Sequence, residues 1–390
     1  SIEVTVTLTS GIDSSKTATE TITVIANKII NLTERLDVEY KGNGDNFTID
    51  LSGHSIAGDI KSVTIGNTAF ATESFTSGTL TLDRATLDRE RGEKTITAIF
   101  EKTSNGQVVQ STTVNIPVLS VTKVIGSEDE FLNWHKVAKE MATEDWYYDG
   151  YFVLGADLDF TNKAMYKAYW TWAIAKSMNM DDRWAYGGAV GFRGTFDGRG
   201  HTIKGLTVEG GTGSVFGVLT ATAIVRNIIF TDYTAKSGGG AITAGCMGKI
   251  ENIYIAAKEV EAGDSGNDKT ALVCSHQTEW ETRIKNVFVR YDKGVANNSN
   301  TMLLGQFHMR RNLLNNVYCI GQTGSDTVKG TAAVGIISQD GNAEDVWGAF
   351  ANAEAMKDAN VQVSAENGWD MNFWTSDADG LPIPKTLANN

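Results

Sequence analysis

Aromatic and charged side chains crowd the stretch of chain between Asn162 and Gly191. Flat aromatic rings stack on the apolar faces of sugars, and carboxylate and guanidinium groups hydrogen-bond to hydroxyls. The same residue types form contact hot spots on proteins. The stretch therefore predicts a surface that binds a glycan or an extracellular protein. The candidate ligand-binding residues are Tyr169, Trp170, Trp172, Asp181, Asp182, Arg183 and Trp184.

The same stretch has a second interpretation as a packed helix. Tyr169, Trp172, Ala173 and Lys176 fall on one helical face, which turns the aromatic rings towards the rest of the protein. The residues themselves favour this packed arrangement and leave the exposed patch open as a hypothesis.

Carboxylates near this stretch raise the question of catalysis. A pair of carboxyl groups a few ångströms apart can act as acid and base on a glycosidic bond. However, Asp197 lies in an Asp-Gly turn signal, and a fold alone does not confer activity. We assign no catalytic residue and keep a polysaccharide lyase or glycoside hydrolase as the alternative function. The carboxylates considered are Asp157, Asp159, Asp181, Asp182 and Asp197.

Histidines and cysteines show no spacing typical of a metal site. The five histidines lie far apart, and the three cysteines, Cys246, Cys274 and Cys319, lack a C-x-x-C pair. The D-A-D-G run at 377–380 resembles the start of a calcium loop without its later ligands. We expect reduced core cysteines, no metal ion and no cofactor.

The charge balance bears on possible partners. There are 47 acidic and 34 basic side chains, a net charge of −13. Nucleic acids and anionic lipid would be repelled by this field. The chain has no charged-then-apolar leader and no run of 18 apolar residues, so we expect a mature or trimmed fragment without membrane insertion, and a monomer.

An internal repeat organises the second half of the chain. The phrases RNIIF, ENIYI, KNVFV, NNVYC and EDVWG place an Asn or Asp at steps of 25, 34, 30 and 29 residues. A small, apolar stretch precedes each phrase, so every repeat supplies at least two short strands. This pattern predicts a parallel β-helix in which a column of stacked polar side chains has a structural role. The column positions are Asn227, Asn252, Asn286, Asn316 and Asp345.

The first third of the chain has the rhythm of antiparallel strands. Residues 2–9 alternate strictly between apolar and polar types, and we interpret residues 1–27 as remnant strands of a preceding module or of the same one. Short strands with turn signals then predict a β-sandwich over 28–122. This region resembles bacterial immunoglobulin-like modules.

Two segments are expected to close the ends of the coil, which spans 123–390. A capping box at Ser127 begins a predicted helix over 127–142. Aromatic residues in a predicted C-terminal cap over 351–390 should cover the other end.

Four motifs in the second part of the chain resemble the GLUG-type repeat proteins. They are YFVLGADLD at 151–159, FRGTFDGRGHTIKGLTV at 192–208, SVFG at 214–217 and VRNI at 225–228. The resemblance covers 123–390, except for the inserted stretch between Asn162 and Gly191. It implies a right-handed β-helix in a secreted or surface-anchored bacterial protein, often beside immunoglobulin-like modules, and it implies no catalytic residues.

Together, these observations predict an all-β protein with an immunoglobulin-like β-sandwich before a right-handed parallel β-helix. Its expected function is non-enzymatic: adhesin-like binding of a glycan or cell-surface polymer outside the cell. A purely structural spacer within a larger surface protein is a further alternative.

Overall fold

The computed structural model of the chain describes residues 2–13, 15–40, 45–140, 150–162, 192–209, 215–216, 218–236, 242–246, 248–260, 270–277, 283–291, 301–307, 313–320, 346–350 and 352–388. The chain divides into two compact units, Ser1–Thr122 (unit 1) and Lys123–Asn390 (unit 2). Strands dominate both units, so the predicted all-β class is confirmed. Among the described residues, no helix has the length and apolar composition needed to cross a lipid bilayer.

Unit 1 begins with an antiparallel hairpin that forms a two-stranded sheet. After it, a six-stranded sheet runs in the order β3-β11-β10-β6-β7, with β4 also paired to β11, and a three-stranded sheet runs β5-β9-β8. The strands are β1 Ile2–Thr9, β2 Thr17–Val24, β3 Ala26–Asn31, β4 Leu36–Glu39, β5 Phe47–Asp50, β6 Asp59–Ile65, β7 Thr68–Ala69, β8 Glu73–Thr76, β9 Thr79–Leu82, β10 Gly92–Ser104 and β11 Gln107–Val121. One helical turn, α1, spans Arg84–Leu87.

The two larger sheets of unit 1 share one hydrophobic core. Alternate residues of β10 are fully buried, namely Ile96, Ala98 and Phe100. The ring centroids of Phe100 and of Phe75 on β8 lie 4.8 Å apart. The alternation that the sequence shows along these strands therefore separates a core face from a solvent face.

Unit 2 contains a large sheet whose main path runs β12-β13-β15-β19-β21-β23-β25-β26, with every neighbouring pair parallel. The strands β14, β16 and β17 join it beside this path. The strands are β12 Lys123–Ile125, β13 Tyr151–Leu154, β14 Leu158–Asp159, β15 Thr195–Asp197, β16 Thr202–Lys204, β17 Thr207–Glu209, β19 Ile224–Lys236, β21 Lys249–Val260, β23 Arg283–Tyr291, β25 Leu313–Ile320 and β26 Val346–Phe350.

A second parallel sheet of unit 2 runs β18-β20-β22-β24. From β18 to β25 the chain alternates between the two sheets, so each strand of one sheet is followed by a strand of the other. The strands are β18 Val218–Leu219, β20 Thr243–Cys246, β22 Thr270–Gln277 and β24 Thr301–Phe307.

The long strand β19 bends twice along its length. Its three segments pair in turn with β15, β16 and β17. The bends coincide with Asn227 and Asp232, whose φ angles are 57° and 51°. One continuous strand thus matches three short strands of the preceding turn, and left-handed residues supply its corners.

Equivalent residues stack in register inside unit 2. Ile228, Ile253, Val287 and Val317 are successive partners in the parallel ladders, and all four are fully buried in one hydrophobic cluster. Because neighbouring strands lie about 4.8 Å apart, side chains of similar shape contact one another directly along the column. The apolar part of each repeated phrase builds this core.

A helix, α2 (Glu128–Glu140), packs on the first strands of unit 2. Ser127 Oγ accepts a hydrogen bond from the backbone N–H of Glu130, whose carboxylate accepts from the N–H of Gly126. The ring of Phe131 contacts the ring of Phe160, and the ring centroids of Trp134 and Phe196 lie 5.2 Å apart. The helix lies within the range predicted from the capping box, and its aromatic side chains cover the apolar residues beneath it.

The C-terminal residues 352–388, called here the strap, lie against the outer face of the large sheet. Trp369, Phe373 and Trp374 pack in one cluster with Tyr254 and Phe288 of that face. We expected these aromatics to close one end of the predicted β-helix. The described contacts instead place them on the face of the large sheet that carries Tyr254 and Phe288, because a second apolar residue in each repeated phrase faces this side. The strap contains α3 Ala353–Asp358, β27 Trp374–Ser376, β28 Pro382–Pro384 and α4 Lys385–Ala388.

We predict that Trp134→Ala lowers the free energy of unfolding of unit 2 by about 3–5 kcal/mol, because it leaves a cavity among five aromatic rings. Chemical denaturation measures the loss. The neighbouring Asn133→Ala, on the exposed side of α2, is the control and should change stability by less than about 0.5 kcal/mol. Equal effects of the two variants would contradict the packing described.

Candidate functional site

The column of asparagines predicted from the repeat is present at Asn227, Asn252, Asn286 and Asn316. The side-chain Nδ2 groups of Asn252, Asn286 and Asn316 each donate to the Oδ1 of the preceding asparagine in the column, at 2.9, 3.2 and 3.1 Å respectively. The last three are buried. The fifth predicted position, Asp345, lies outside the described residues.

The backbone explains why asparagine occupies these positions. All four have φ between 54° and 57°, in the left-handed region. Among residues with a side chain, asparagine tolerates this region best, and its amide can both donate to one turn and accept from the next. Each asparagine therefore does two things. It lets the strand change direction, and its amide forms hydrogen bonds with the asparagines of the neighbouring strands.

Asp197 extends the ladder to the preceding turn. Its Oδ1 accepts from Asn227 Nδ2 at 2.9 Å, and its Oδ2 accepts from Arg226 Nε at 2.9 Å and from the Tyr151 hydroxyl at 3.3 Å. Arg226 also donates to the Tyr151 oxygen at 2.7 Å. Burial lowers the pKa of Arg226, but the charge of Asp197, the attraction of Tyr151 and the hydrogen bonds to both together outweigh it, so that this pKa lies above its usual value.

The glycine after Asp197 is required by a close approach of the next turn. A Cβ on Gly198 would lie 2.4 Å from the carbonyl oxygen of Asn227, so no other residue fits without moving the backbone. The Asp-Gly pair was interpreted from sequence as a turn signal. It is a turn, and its carboxylate is also buried at the head of the ladder.

The strap reaches the ladder through polar contacts. Asn252 Nδ2 donates to Asp370 Oδ2 at 2.9 Å, while its Oδ1 accepts from Trp374 Nε1 at 3.2 Å. One turn further on from Asn286, Asn316 Nδ2 donates to the carbonyl oxygen of Asn367 at 2.9 Å. The strap thus binds the large sheet by hydrogen bonds as well as by its aromatic side chains.

The ladder can hold neighbouring strands together, and its asparagine side chains have few donors and acceptors left to bind a substrate. Asn252 makes four hydrogen bonds, two as donor and two as acceptor. A fully paired buried network favours one arrangement of the chain, whereas a catalytic group must face a substrate. The geometry of these residues fits a structural role.

The exposed carboxylates near the first strands of unit 2 accept hydrogen bonds from neighbouring backbone N–H groups and form ion pairs. Asp157 Oδ1 accepts from the backbone N–H of Thr202 and lies 3.1 Å from His201 Nδ1. The Thr161 hydroxyl donates to Asp159 and, together with the Thr161 N–H, lowers the pKa of that carboxyl. A general acid in glycoside hydrolysis needs a raised pKa, so Asp159 is not suited to that role.

The candidate ligand-binding residues lie outside the described part of the chain. Tyr169, Trp170, Trp172, Asp181, Asp182, Arg183 and Trp184 all fall within 163–191. Their role remains a prediction from sequence. Within the described residues, no group of three metal-ligating side chains comes together.

The cysteines behave as core residues where they are described. Cys246 and Cys319 are free and buried, as predicted, and burial raises the pKa of Cys319 to about 12. In the small sheet, Cys274 is the ladder partner of Thr243, and Cys246 is the partner of Gln277. In this register Cys246 and Cys274 are not ladder partners.

Sequence reasoning missed three contributors to the ladder. Asp197 had a usable signal, since it precedes Asn227 by the same 30-residue step that separates Asn286 from Asn316. Asp370 and Trp374 had none, because they reach Asn252 across more than a hundred residues of sequence.

Comparison with family models, with characterised proteins and with solved structures finds no match to this chain. The resemblance to GLUG-type repeat proteins therefore stays a prediction from its motifs.

We predict that Asn252→Ala lowers the free energy of unfolding of unit 2 by about 3 kcal/mol or more, because buried partners lose their hydrogen bonds. Asn252→Gly, the matched control, loses the same side chain but keeps the left-handed backbone at little cost, and should be less damaging by about 1 kcal/mol. Denaturant unfolding distinguishes the two. Identical losses would show that the left-handed corner is unimportant.

We predict that Thr161→Val raises the pKa of Asp159 towards the ordinary value of about 3.9, because one hydrogen bond to the ionised form is removed. Carboxyl-carbon NMR titration measures it. Thr161→Ser keeps the hydroxyl and should leave the pKa where it is in the native chain. A pKa of Asp159 that is the same in the native and valine chains would contradict the assigned cause.

Proposed function

We propose that residues 123–390 form a right-handed parallel β-helix that acts outside the cell as a non-enzymatic, adhesin-like binding rod. The observation that carries the proposal is the asparagine ladder, with one rung on each of four successive turns. Alternation of the chain between two parallel sheets supports the same coil. The right hand follows from the strong preference of parallel crossover connections.

The described carboxylates favour binding over catalysis, because they are paired or have a lowered pKa. Asp197 is buried and paired with Arg226, and Asp159 has a lowered pKa. A rigid stack of turns that keeps its polar groups occupied suits the display of a surface better than the movement of protons.

The binding surface in this proposal is the inserted stretch with its tryptophans and carboxylates. It connects β14 to β15, two strands at the start of the coil. The flanking strands are anchored, since β14 pairs with β16 and β15 pairs with β13 and β19. A long connection between fixed strands is a common place for binding residues, because insertion there leaves the scaffold intact.

Unit 1 has the role of a spacer in this proposal. Its β-sandwich, which we take to be immunoglobulin-like, would carry the coil away from a cell surface as part of a longer GLUG-type protein. The net charge of −13 keeps such a rod apart from other acidic polymers. The ligand is therefore expected to be a neutral glycan or a protein, bound by a monomer.

We predict that the chain is retained on at least one immobilised neutral polysaccharide, and that Trp170→Ala combined with Trp184→Ala abolishes retention by removing stacking surfaces. Affinity electrophoresis through a panel of polysaccharides measures retention. Tyr40→Ala, an exposed aromatic change in unit 1, is the control and should be retained like the native chain.

The same panel distinguishes the other functions. Release of reducing ends or unsaturated sugars would replace the binding rod with a polysaccharide-active enzyme. Absence of both retention and products, on glycans and on extracellular matrix proteins alike, would overturn the binding function and leave a spacer. Retention that survives loss of both tryptophans would move the binding surface away from the inserted stretch.

A further inference from the structure

The first two strands of the chain form a hairpin whose only described strand pairing is internal. β1 and β2 pair over eight positions, from Ile2 with Val24 to Thr9 with Thr17. The described strands of unit 1 that follow form other sheets and share no ladder with the hairpin. An isolated two-stranded hairpin is marginally stable in water, so this sheet is an incomplete element.

The register separates the two faces of the hairpin by chemistry. The cross-strand pairs on one face are Glu3–Thr23, Thr5–Thr21, Thr7–Thr19 and Thr9–Thr17, and those on the other are Ile2–Val24, Val4–Ile22, Val6–Glu20 and Leu8–Ala18. On the threonine face, the described side chains are exposed, and Thr7 and Thr19 hydroxyls lie 3.3 Å apart. The opposite face has the composition of strands that pack on a second sheet.

The hairpin repeats the last hairpin of unit 1. The segment I-T-V-I-A at 22–26 is similar to I-P-V-L-S at 116–120, with Ile, Val and a further aliphatic residue at the same three positions. The pairing agrees as well, because Val4 pairs with Ile22 as Ile96 pairs with Ile116. Sequence and register thus place β1 and β2 in correspondence with β10 and β11.

The corresponding positions in β10 and β11 show what such a hairpin does. Ile96, Ala98, Val114 and Ile116 are all fully buried between the sheets of unit 1. The junctions also correspond, since one residue, Ile25, separates β2 from β3, and one residue, Thr122, separates β11 from β12. In each case a terminal hairpin leads directly into the first strand of the next structural unit.

We propose that β1 and β2 are the terminal hairpin of a further β-sandwich module of the same polypeptide, whose other strands are encoded upstream of Ser1 and cover the Val4–Ile22 face. The occupant of this face is then a sheet with an apolar inner side, similar to β5-β9-β8 of unit 1. This inference is independent of the binding function proposed for unit 2. It makes unit 1 the second of at least two modules in tandem.

Hydrogen exchange of the hairpin amides tests the proposal. In the chain Ser1–Asn390, amides of β1 and β2 should exchange far faster than those of β10 and β11. In a chain extended upstream by one module length of its own encoded sequence, they should slow by roughly 100-fold or more, because they open only when the module unfolds. Equal exchange of the hairpin amides in both chains would overturn the proposal.

Two variants of the extended chain identify the covered face. Val4→Ser with Ile22→Ser should abolish the added protection, whereas the matched pair Thr5→Ser with Thr21→Ser, on the opposite face, should preserve it. If protection already exists in Ser1–Asn390 and rises with protein concentration, a second copy covers the face and the proposal is wrong. An upstream coding sequence without β-strand patterns would also overturn it.

Discussion

The structure of unit 2 depends on how a buried corner of the chain satisfies its polar groups. At Asn227 of β19 and at the equivalent positions of β21, β23 and β25, an asparagine adopts a left-handed backbone and places its side chain inside the stack. Because the equivalent strands are paired in parallel at the strand spacing, each side-chain amide meets the next, and Asn227, Asn252, Asn286 and Asn316 satisfy one another in a line that starts at Asp197. An apolar residue would leave the corner's polar groups without partners, and a glycine would leave a gap.

This constraint organises the layers on both sides of the ladder. Immediately after each asparagine, one side chain points inward to the column of Ile228, Ile253, Val287 and Val317, and the next points outward to the strap. Trp374 belongs to both systems, since its ring is buried among aromatics and its Nε1 reaches Asn252. The strap therefore follows the ladder, which explains why the C-terminal aromatics lie on the face of the large sheet.

The extent of successful sequence prediction follows from the range of each interaction. The ladder was predictable because every rung carries its own local phrase, and helix α2 was predictable because its cap lies within four residues. The left-handed φ of the asparagines was not anticipated, since the type of residue alone suggested only stacking. Asp197 was interpreted as an ordinary turn because its Asp-Gly pair is a strong local signal, and the position of the strap depends on contacts such as Asp370 with Asn252 that no local pattern contains. The predicted ligand-binding residues remain predictions, since they lie outside the described residues.

A double-mutant cycle between Asn286 and Asn316 tests the central claim most directly. The two side chains share one hydrogen bond of 3.1 Å in the buried ladder. If the ladder holds neighbouring strands together, Asn286→Ala and Asn316→Ala should be coupled, with the double variant less destabilised than the sum of the single variants by about 1 kcal/mol or more. Losses of unfolding free energy that add within about 0.5 kcal/mol would contradict it, because independent residues on separate turns behave in that way.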